Sequence, residues 1–421
     1  MLPSEANWNN WSRIFTDTDV WRGPVEKVLA RLQLSPVHIH PGFPGTSAAF
    51  AVDCAPLASA AATVPSHSEP GVYRLVVKFY PPMAHGDFHN EVSVRTALHK
   101  NGSTVPYPRI LLSGTLRDGI EWPYIIEEFC PGRATREVWG GMTRGERDSL
   151  ARRLARLLAD LHGTPLGLLA DLHGTPLSLL PGMSKGVDTW RERTLRSLSN
   201  CIERLAMDRD GHKRPLPDAL LASLQAFVDM NGRQLVDVVA ERCRTDGGYS
   251  LCLIHNDLTE DHLLIHKGNE KGHEECCNKG SNRYDGTGTY GRHRGCQEWD
   301  QSACHEVNQE DDAWRITALL DYGDAKVGLV EEEWVVLSTG LFEMDSIAMR
   351  VFLDEYRDLT GAAADAVCPD NPSFREKMLL LTLAHQFCGE IICQAMRRVR
   401  VDLSDVTHAR TLMDVLWPIP A

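Results

Sequence analysis

Leu253-Ile-His-Asn-Asp-Leu-Thr-Glu-Asp-His-Leu-Leu-Ile265 and, further on, Ala318-Leu-Leu-Asp-Tyr-Gly-Asp-Ala325 share one layout. In each, an apolar run reads as a buried strand, and a carboxylate stands where that strand ends. Two carboxylates presented this way suit phosphoryl transfer: Asp257 orients and deprotonates an attacking hydroxyl, and Asp321 holds the metal that bridges nucleotide phosphates. His255 reads as a structural histidine bracing the loop that carries Asp257. Asp321-Tyr-Gly323 sets a carboxylate ahead of a flexible glycine, as a metal site on a turn requires.

Upstream, Val72 to Tyr80 is β-branched and aromatic and reads as a strand. It contains Lys78, which must face solvent or be paired, because a buried unpaired ammonium is costly. Glu91, in the next predicted helix (His89 to Leu98), is the partner expected for a phosphate-contacting lysine. Gly42-Phe-Pro-Gly-Thr-Ser-Ala-Ala-Phe-Ala-Val52 is a glycine turn running into a strand. Gly42, Gly45, Thr46 and Ser47 would let backbone, amide and hydroxyl groups approach phosphates. The turn lacks the spacing of a P-loop, which excludes that class of NTPase.

The rest of the chain reads as α+β. A short helix at Pro24–Leu32 precedes the glycine turn, and Pro106 to Ser113 and Trp122 to Phe129 add strands, so residues 1–130 form a sheet with one main helix. Residues 131–421 are mostly helical, with helices expected near Leu150–Leu161, Pro217–Val239, Glu331–Met344, Ile347–Leu359 and Phe374–Arg397. Leu157 to Leu166 recurs letter for letter as Leu168 to Leu177, which reads as a recent duplication or a gene-model error rather than a solenoid. One copy is expected to end a helix. Residues 266–313 are polar and hold several Cys and His, and they read as a disordered insertion. The adjacent Cys276-Cys277 fits structural-zinc spacing poorly.

The net charge of −13 argues against general nucleic-acid affinity. No run approaches the roughly 18 apolar residues a membrane span needs. The start of the chain has no basic end leading into an apolar stretch, so a cytoplasmic protein with reduced thiols is expected.

Taken together, these residues resemble the aminoglycoside phosphotransferase family, in particular its hygromycin-type members. His255-Asn-Asp257 is similar to the family's catalytic-loop motif and Asp321 to Gly328 to its metal-binding segment. Gly42 to Val52 resembles its nucleotide loop, and Lys78 with Glu91 its lysine–glutamate pair. Trp122 to Phe129 resembles the strand and hinge that hold adenine through backbone groups near Glu127, Glu128 and Phe129. Trp122-Pro-Tyr124, the Leu-Ala-His-Gln-Phe run at 383–387 and the ending from Asp402 carry the hygromycin-type likeness. The resemblance implies a bilobal protein-kinase-like fold, with a small antiparallel-sheet N-lobe and a larger helical C-lobe. It also implies ATP and Mg²⁺ as cofactors and a small-molecule acceptor bearing a hydroxyl group.

Three departures stand out. The family's second metal ligand, an Asn, is replaced by His262, and imidazole is a poor ligand for Mg²⁺. That leaves four outcomes open: one metal suffices, Mn²⁺ is preferred, Asp261 substitutes, or turnover is lost and the chain is a pseudokinase. Leu329-Val330 replaces a common Asp-Pro, and Glu333 stands where an Asp is common. The insertion at 266–313 replaces a short hairpin. Glu332, Glu333, Asp345 and Glu390 are the acids a cationic sugar would meet, although each reads more simply as part of a solvated helix face.

Overall fold

The structure, a computed structural model, describes residues 11, 13–43, 45–57, 72–164, 183–207, 216–245, 251–268, 314–361 and 372–418. It divides into two compact units. One comprises Met1–Val92, Tyr107–Gly132 and Ile265–Thr317, the other Ser93–Pro106, Arg133–Leu264 and Ala318–Ala421.

The first unit is built on a five-stranded antiparallel sheet. Its strands are β1 (Leu34–Ile39), β2 (Ala48–Pro56), β3 (Tyr73–Phe79), β4 (Ile110–Asp118) and β5 (Ile120–Glu128), in the order β1-β2-β3-β5-β4. Alternation along β3 decides its two faces. Leu75, Val77 and Phe79 join Phe50, Val52, Trp122 and Tyr124 in the main core. Helix α1 (Thr18–Leu29) covers that face, with Trp21 stacked on Phe79 at 4.7 Å between ring centroids. The opposite face carries Lys78, with Tyr80 and Ile125 packed on Phe88 of α2 (His85–Lys100).

Helix α1 begins earlier than Pro24, the start expected from sequence. Asp17 caps it, accepting hydrogen bonds from the amides of Asp19 and Val20, so Pro24 lies in the helix interior. The sheet is therefore flanked by two helices rather than one.

In the second unit, α3 (Arg144–His162) starts at a Thr143/Glu146 capping box and buries Leu150, Leu154, Leu157, Leu158 and Leu161. The first duplicated decamer thus ends a helix, and the second copy lies outside the described residues. Next come α4 (Met183–Ser199), α5 (Cys201–Ala206), α6 (Asp218–Phe227) and α7 (Arg233–Thr245). A π-turn at Val228–Gly232 separates α6 from α7. This divides the single helix expected over Pro217–Val239.

Strand β6 (Arg133–Ala134) heads a three-stranded sheet with β8 (Leu263–Lys267) and β9 (Trp314–Leu319), and β7 (Cys252–Ile254) pairs with β10 (Lys326–Gly328). Strand β8 already contains His266 and Lys267, so the insertion begins later than expected. Because β8 and β9 are hydrogen-bonded neighbours, the ends of the inserted segment are held together. Residues 269–313, with their Cys/His cluster, lie outside the described residues.

The chain then forms α8 (Val330–Val336), α9 (Ser346–Thr360), α10 (Pro372–Ala384), α11 (Cys388–Val399) and α12 (Ala409–Leu416). The long helix expected over Phe374–Arg397 is broken at His385-Gln386-Phe387. His385 Nδ1 accepts the Phe387 amide at 3.2 Å, and that bond interrupts the helical ladder. Helix α8 gives way to a buried π-turn at Leu337–Leu341. Among the described residues no helix is long and apolar enough to cross a membrane.

Candidate active site

In the first unit, β3 presents Lys78 to α2. Lys78 Nζ donates to Glu91 Oε2 at 2.7 Å, and both side chains are buried. Tyr80 Oη donates to the same carboxylate oxygen, and the ammonium lies 5.0 Å from the Tyr80 ring centroid. Removing one member of a buried charge pair typically costs about 3–5 kcal/mol, so this arrangement fixes the strand to the helix.

The glycine turn is closed by Phe43 N donating to Ala49 O at 2.9 Å. A Cβ at Gly42 would lie 2.8 Å from Thr16 Cα and 2.9 Å from the Phe50 ring, so only glycine fits there. Gly45 has open space around its Cα. Thr46 O accepts the Trp11 indole N–H at 2.7 Å, and Ser47 is buried. At the end of β5, the Glu128 side chain turns to Arg109, and its amide donates to Arg109 O at 3.1 Å. Glu127 is buried, and the Arg74 guanidinium lies over the Phe129 ring.

In the second unit, the loop after β7 gathers the remaining candidates. His255 is wholly buried, and its Nε2 donates to Leu320 O at 2.7 Å. That bond fixes the tautomer and ties the loop to the end of β9. Burial lowers the His255 pKa, against the opposing pull of the Glu333 carboxylate. Asn256 adopts the left-handed conformation (φ 64°), which turns the chain sharply before Asp257.

Burial pushes the Asp257 carboxyl up to about 7; His262 offsets part of that rise, while Asp324, Asp321 and Glu333 add to it. His262 stands between the two carboxylates. Its Nδ1 donates to Asp257 O at 2.6 Å and lies 3.6 Å from Asp257 Oδ2; its Nε2 lies 3.8 Å from Asp321 Oδ2. Asp321 is itself left-handed (φ 59°) and opens the turn Tyr322–Asp324, whose Tyr322 ring packs against His255. The structure thus brings Asp257, His255, His262 and Asp321 together.

Asp261, the alternative ligand considered above, is engaged by the Arg136 guanidinium. With Nδ1 committed to the Asp257 carbonyl, His262 would offer Nε2 beside the Asp321 carboxylate. One imidazole and one carboxylate fit a divalent ion that completes its shell with phosphate oxygens, and the nitrogen suits Mn²⁺ better than Mg²⁺. Among the described residues, no group of three or more His, Cys, Asp or Glu is arranged to hold a metal on its own.

Glu333 is a residue of the site whose place the sequence reading did not give. Wholly buried, it accepts the amides of His255 at 2.5 Å and Asn256 at 3.2 Å, and so anchors the turn that presents Asp257. Burial alone would raise its pKa, but the imidazoles of His162 and His255 and the Asn256 amide hold it below the usual range. From the other side, His385 Nε2 donates to Asn256 O at 3.3 Å.

The neighbouring acids are equally committed. Glu331 pairs with Lys377 at 2.7 Å. Glu332 takes the Trp190 indole N–H at 2.7 Å and Lys326 at 2.8 Å. Asp345 caps α9 and binds Arg144 and Arg147. Glu332 and Glu333 are therefore neither solvated nor available to a cationic ligand. A run of three acids at a helix start, next to a buried strand, was the available signal.

The model of the family described as phosphotransferase enzyme family matches residues 60–273. No curated protein sequence matches the chain. Among solved structures, the GDP complex of an aminoglycoside 2'-phosphotransferase-IIIa is 15% identical, with 94% of this chain and 96% of that one covered and a TM-score of 0.48. A thermostable mutant of the aminoglycoside phosphotransferase APH(4)-Ia, in ternary complex with ADP and hygromycin B, is 14% identical over 93% and 96% of the two chains, also at 0.48. A GDP and kanamycin complex of a 2"-phosphotransferase is 14% identical over 94% and 98%, at 0.47.

Proposed function

Since the chain belongs to the phosphotransferase enzyme family, we propose that it moves the γ-phosphoryl group of ATP to a hydroxyl of a small molecule, an aminoglycoside among the candidates. The observation that carries this reading is the Asp257–His262–Asp321 cluster, in which a carboxyl pushed up to about 7 stands beside a second carboxylate on a left-handed turn.

Asp257, half ionised near neutral pH, accepts the proton of the acceptor hydroxyl as the oxygen attacks the γ-phosphorus. Lys78, held by Glu91, engages the nucleotide phosphates. The glycine turn offers backbone and hydroxyl donors at Gly45, Thr46 and Ser47, Gly42 sets its close packing, and the backbone near Glu127 to Phe129 receives adenine. Asp321 and His262 Nε2 would hold the divalent metal, which supplies charge neutralisation for the phosphates. His255 and Glu333 keep the loop in place, and positioning of this kind is the main source of rate in phosphoryl transfer. A cytoplasmic location, where ATP is abundant, is compatible with this reading.

A second reading, a nucleotide-binding pseudokinase without turnover, is favoured by His262 alone. The deciding experiment measures ATP turnover with Mg²⁺ and with Mn²⁺ against a panel of aminoglycosides and hydroxylated amines. Product formed by the wild type and abolished in Asp257→Ala supports the kinase. Nucleotide binding without product in either metal supports the pseudokinase. A His262→Asn variant that gains Mg²⁺-dependent turnover identifies that side chain as the one limiting metal use.

A further inference from the structure

The loop that carries Asp257 is held from a third direction, by the far end of the chain. Arg398, in the last turn of α11, is largely buried. Its Nη2 donates to Glu260 Oε1 at 2.7 Å. Its Nη1 donates to Gly340 O at 2.6 Å and also to Thr339 O. These two carbonyls belong to the π-turn at Leu337–Leu341, where the widened helical register leaves backbone oxygens in need of donors. One guanidinium therefore joins three elements: α11, the π-turn after α8, and the 255–262 loop.

Two further observations bear on the same point. A Cβ at Gly340 would lie 3.3 Å from Thr259 Cα and 3.6 Å from Glu260 Oε2, so the π-turn backbone lies directly against the loop. The Glu260 carbonyl in turn accepts the Arg136 amide at 3.1 Å. Glu260 is therefore fixed at both its backbone and its carboxylate, three residues after Asp257 and two before His262. A planar fork of donors is needed here, because a lysine offers a single point charge and cannot meet the carboxylate and both carbonyls in one geometry.

We propose that Arg398 is a positioning residue for the phosphoryl-transfer loop, acting through Glu260 to fix the separation of Asp257 and His262. This inference rests on the phosphotransferase reading for its catalytic consequence, but its structural part stands independently. Arg398 acts on the loop through Glu260 and the Thr339 and Gly340 carbonyls. It sets the loop against the π-turn, and loss of the fork releases Glu260 and loosens residues 255–263.

The experiment compares wild type, Arg398→Met, Arg398→Lys and Glu260→Gln as full-length chains. Amide hydrogen exchange of the 255–263 peptide is expected to speed up about tenfold or more in Arg398→Met, with the α9 peptide 346–360 unchanged. The turnover number for phosphoryl transfer is expected to fall about tenfold or more, with KM for ATP within about threefold of wild type. Arg398→Lys restores part of both, which a purely space-filling role would not produce.

Unchanged exchange at 255–263 in a folded Arg398→Met overturns the proposal. If circular dichroism shows that Arg398→Met does not fold, Arg398→Lys and Glu260→Gln decide by the same exchange, and unaltered protection in both overturns it. If the wild type transfers no phosphoryl group to any acceptor, the phosphotransferase reading fails, and exchange alone decides the role of Arg398.

Discussion

Replacing Asp257 by Asn is expected to abolish turnover and, at alkaline pH, to stabilise the ligand-free protein. The second effect follows from the raised pKa. In the fold the carboxyl is pushed up to about 7, against an ordinary value of 3.8. Between those values the unfolded chain has released its proton while the folded chain retains it. Stability therefore falls as pH rises through this window, by at most about 1.4 kcal/mol per pH unit, and is constant above pH 7. Three units set a ceiling of about 4 kcal/mol. The side chain is 23% exposed, so solvent screening reduces this, and about 2 kcal/mol is the expected penalty at pH 8. Asn is nearly isosteric and carries no charge at any pH, so Asp257→Asn removes the penalty at pH 8 and changes little near pH 4. Urea unfolding of both proteins at pH 4.5 and pH 8, without nucleotide or metal, measures the difference. A variant equally or less stable than wild type at pH 8, or a difference independent of pH, would refute the burial argument.

Other expectations follow from the same geometry. Glu333→Gln places an amide N–H₂ against the His255 and Asn256 amides and removes the charge they share. It should cost about 3 kcal/mol in urea unfolding and lower the turnover number more than a hundredfold, with KM for ATP little changed. Glu332 behaves oppositely to Asp257: burial raises its pKa, but Lys326 and Arg193 overcome that and hold it at about 2. Its contribution is full above pH 4.5 and is lost as pH falls towards 2, so Glu332→Gln should flatten the acid limb of the stability–pH profile between those values. Gly42→Ala drives a methyl group into Thr16 and Phe50 and should cost about 1–3 kcal/mol in thermal unfolding, whereas Gly45→Ala should stay within about 0.5 kcal/mol.

The elements that sequence periodicity announces are those with one buried face. Strand β3, the leucine face of α3 and the apolar runs that became β7 and β9 are all present, and Lys78 meets Glu91 as their spacing implied. What was not legible depends on partners far along the chain. His385 sits in an apolar run that reads as continuous helix; its ring bonds to the Phe387 amide and the Asn256 carbonyl, and no local pattern announces that break. Glu332 and Glu333 read as part of a solvated helix face because acids rarely go inside, and Glu331 stands beside them. They are buried because Lys377, Lys326 and two backbone amides of the 255–262 loop meet them one by one. The start of α1 was missed for a simpler reason: Pro24 reads as a first-turn residue, whereas the helix begins after the Asp17 cap and accommodates the proline in its interior.

The departure at His262 lies in a stretch, 260–262, whose side chains are all engaged. Each of these side chains has a partner: Glu260 has Arg398, Asp261 has Arg136, and His262 has the Asp257 carbonyl. Of the charged groups, Glu260 is buried, and a buried unpaired charge would be destabilising. Here these side chains have partners, and the backbone that presents Asp257 is fixed by Glu333, His385 and His255 besides. An organised loop of this kind is what a phosphoryl-transfer base needs, because its rate advantage comes from geometry. On the kinase reading, His262 then bears on the choice of metal rather than on whether the loop is formed. That puts the comparison of Mn²⁺ with Mg²⁺, in wild type and His262→Asn, ahead of any search for the acceptor. A protein with an intact loop tested in the wrong metal would be mistaken for a pseudokinase.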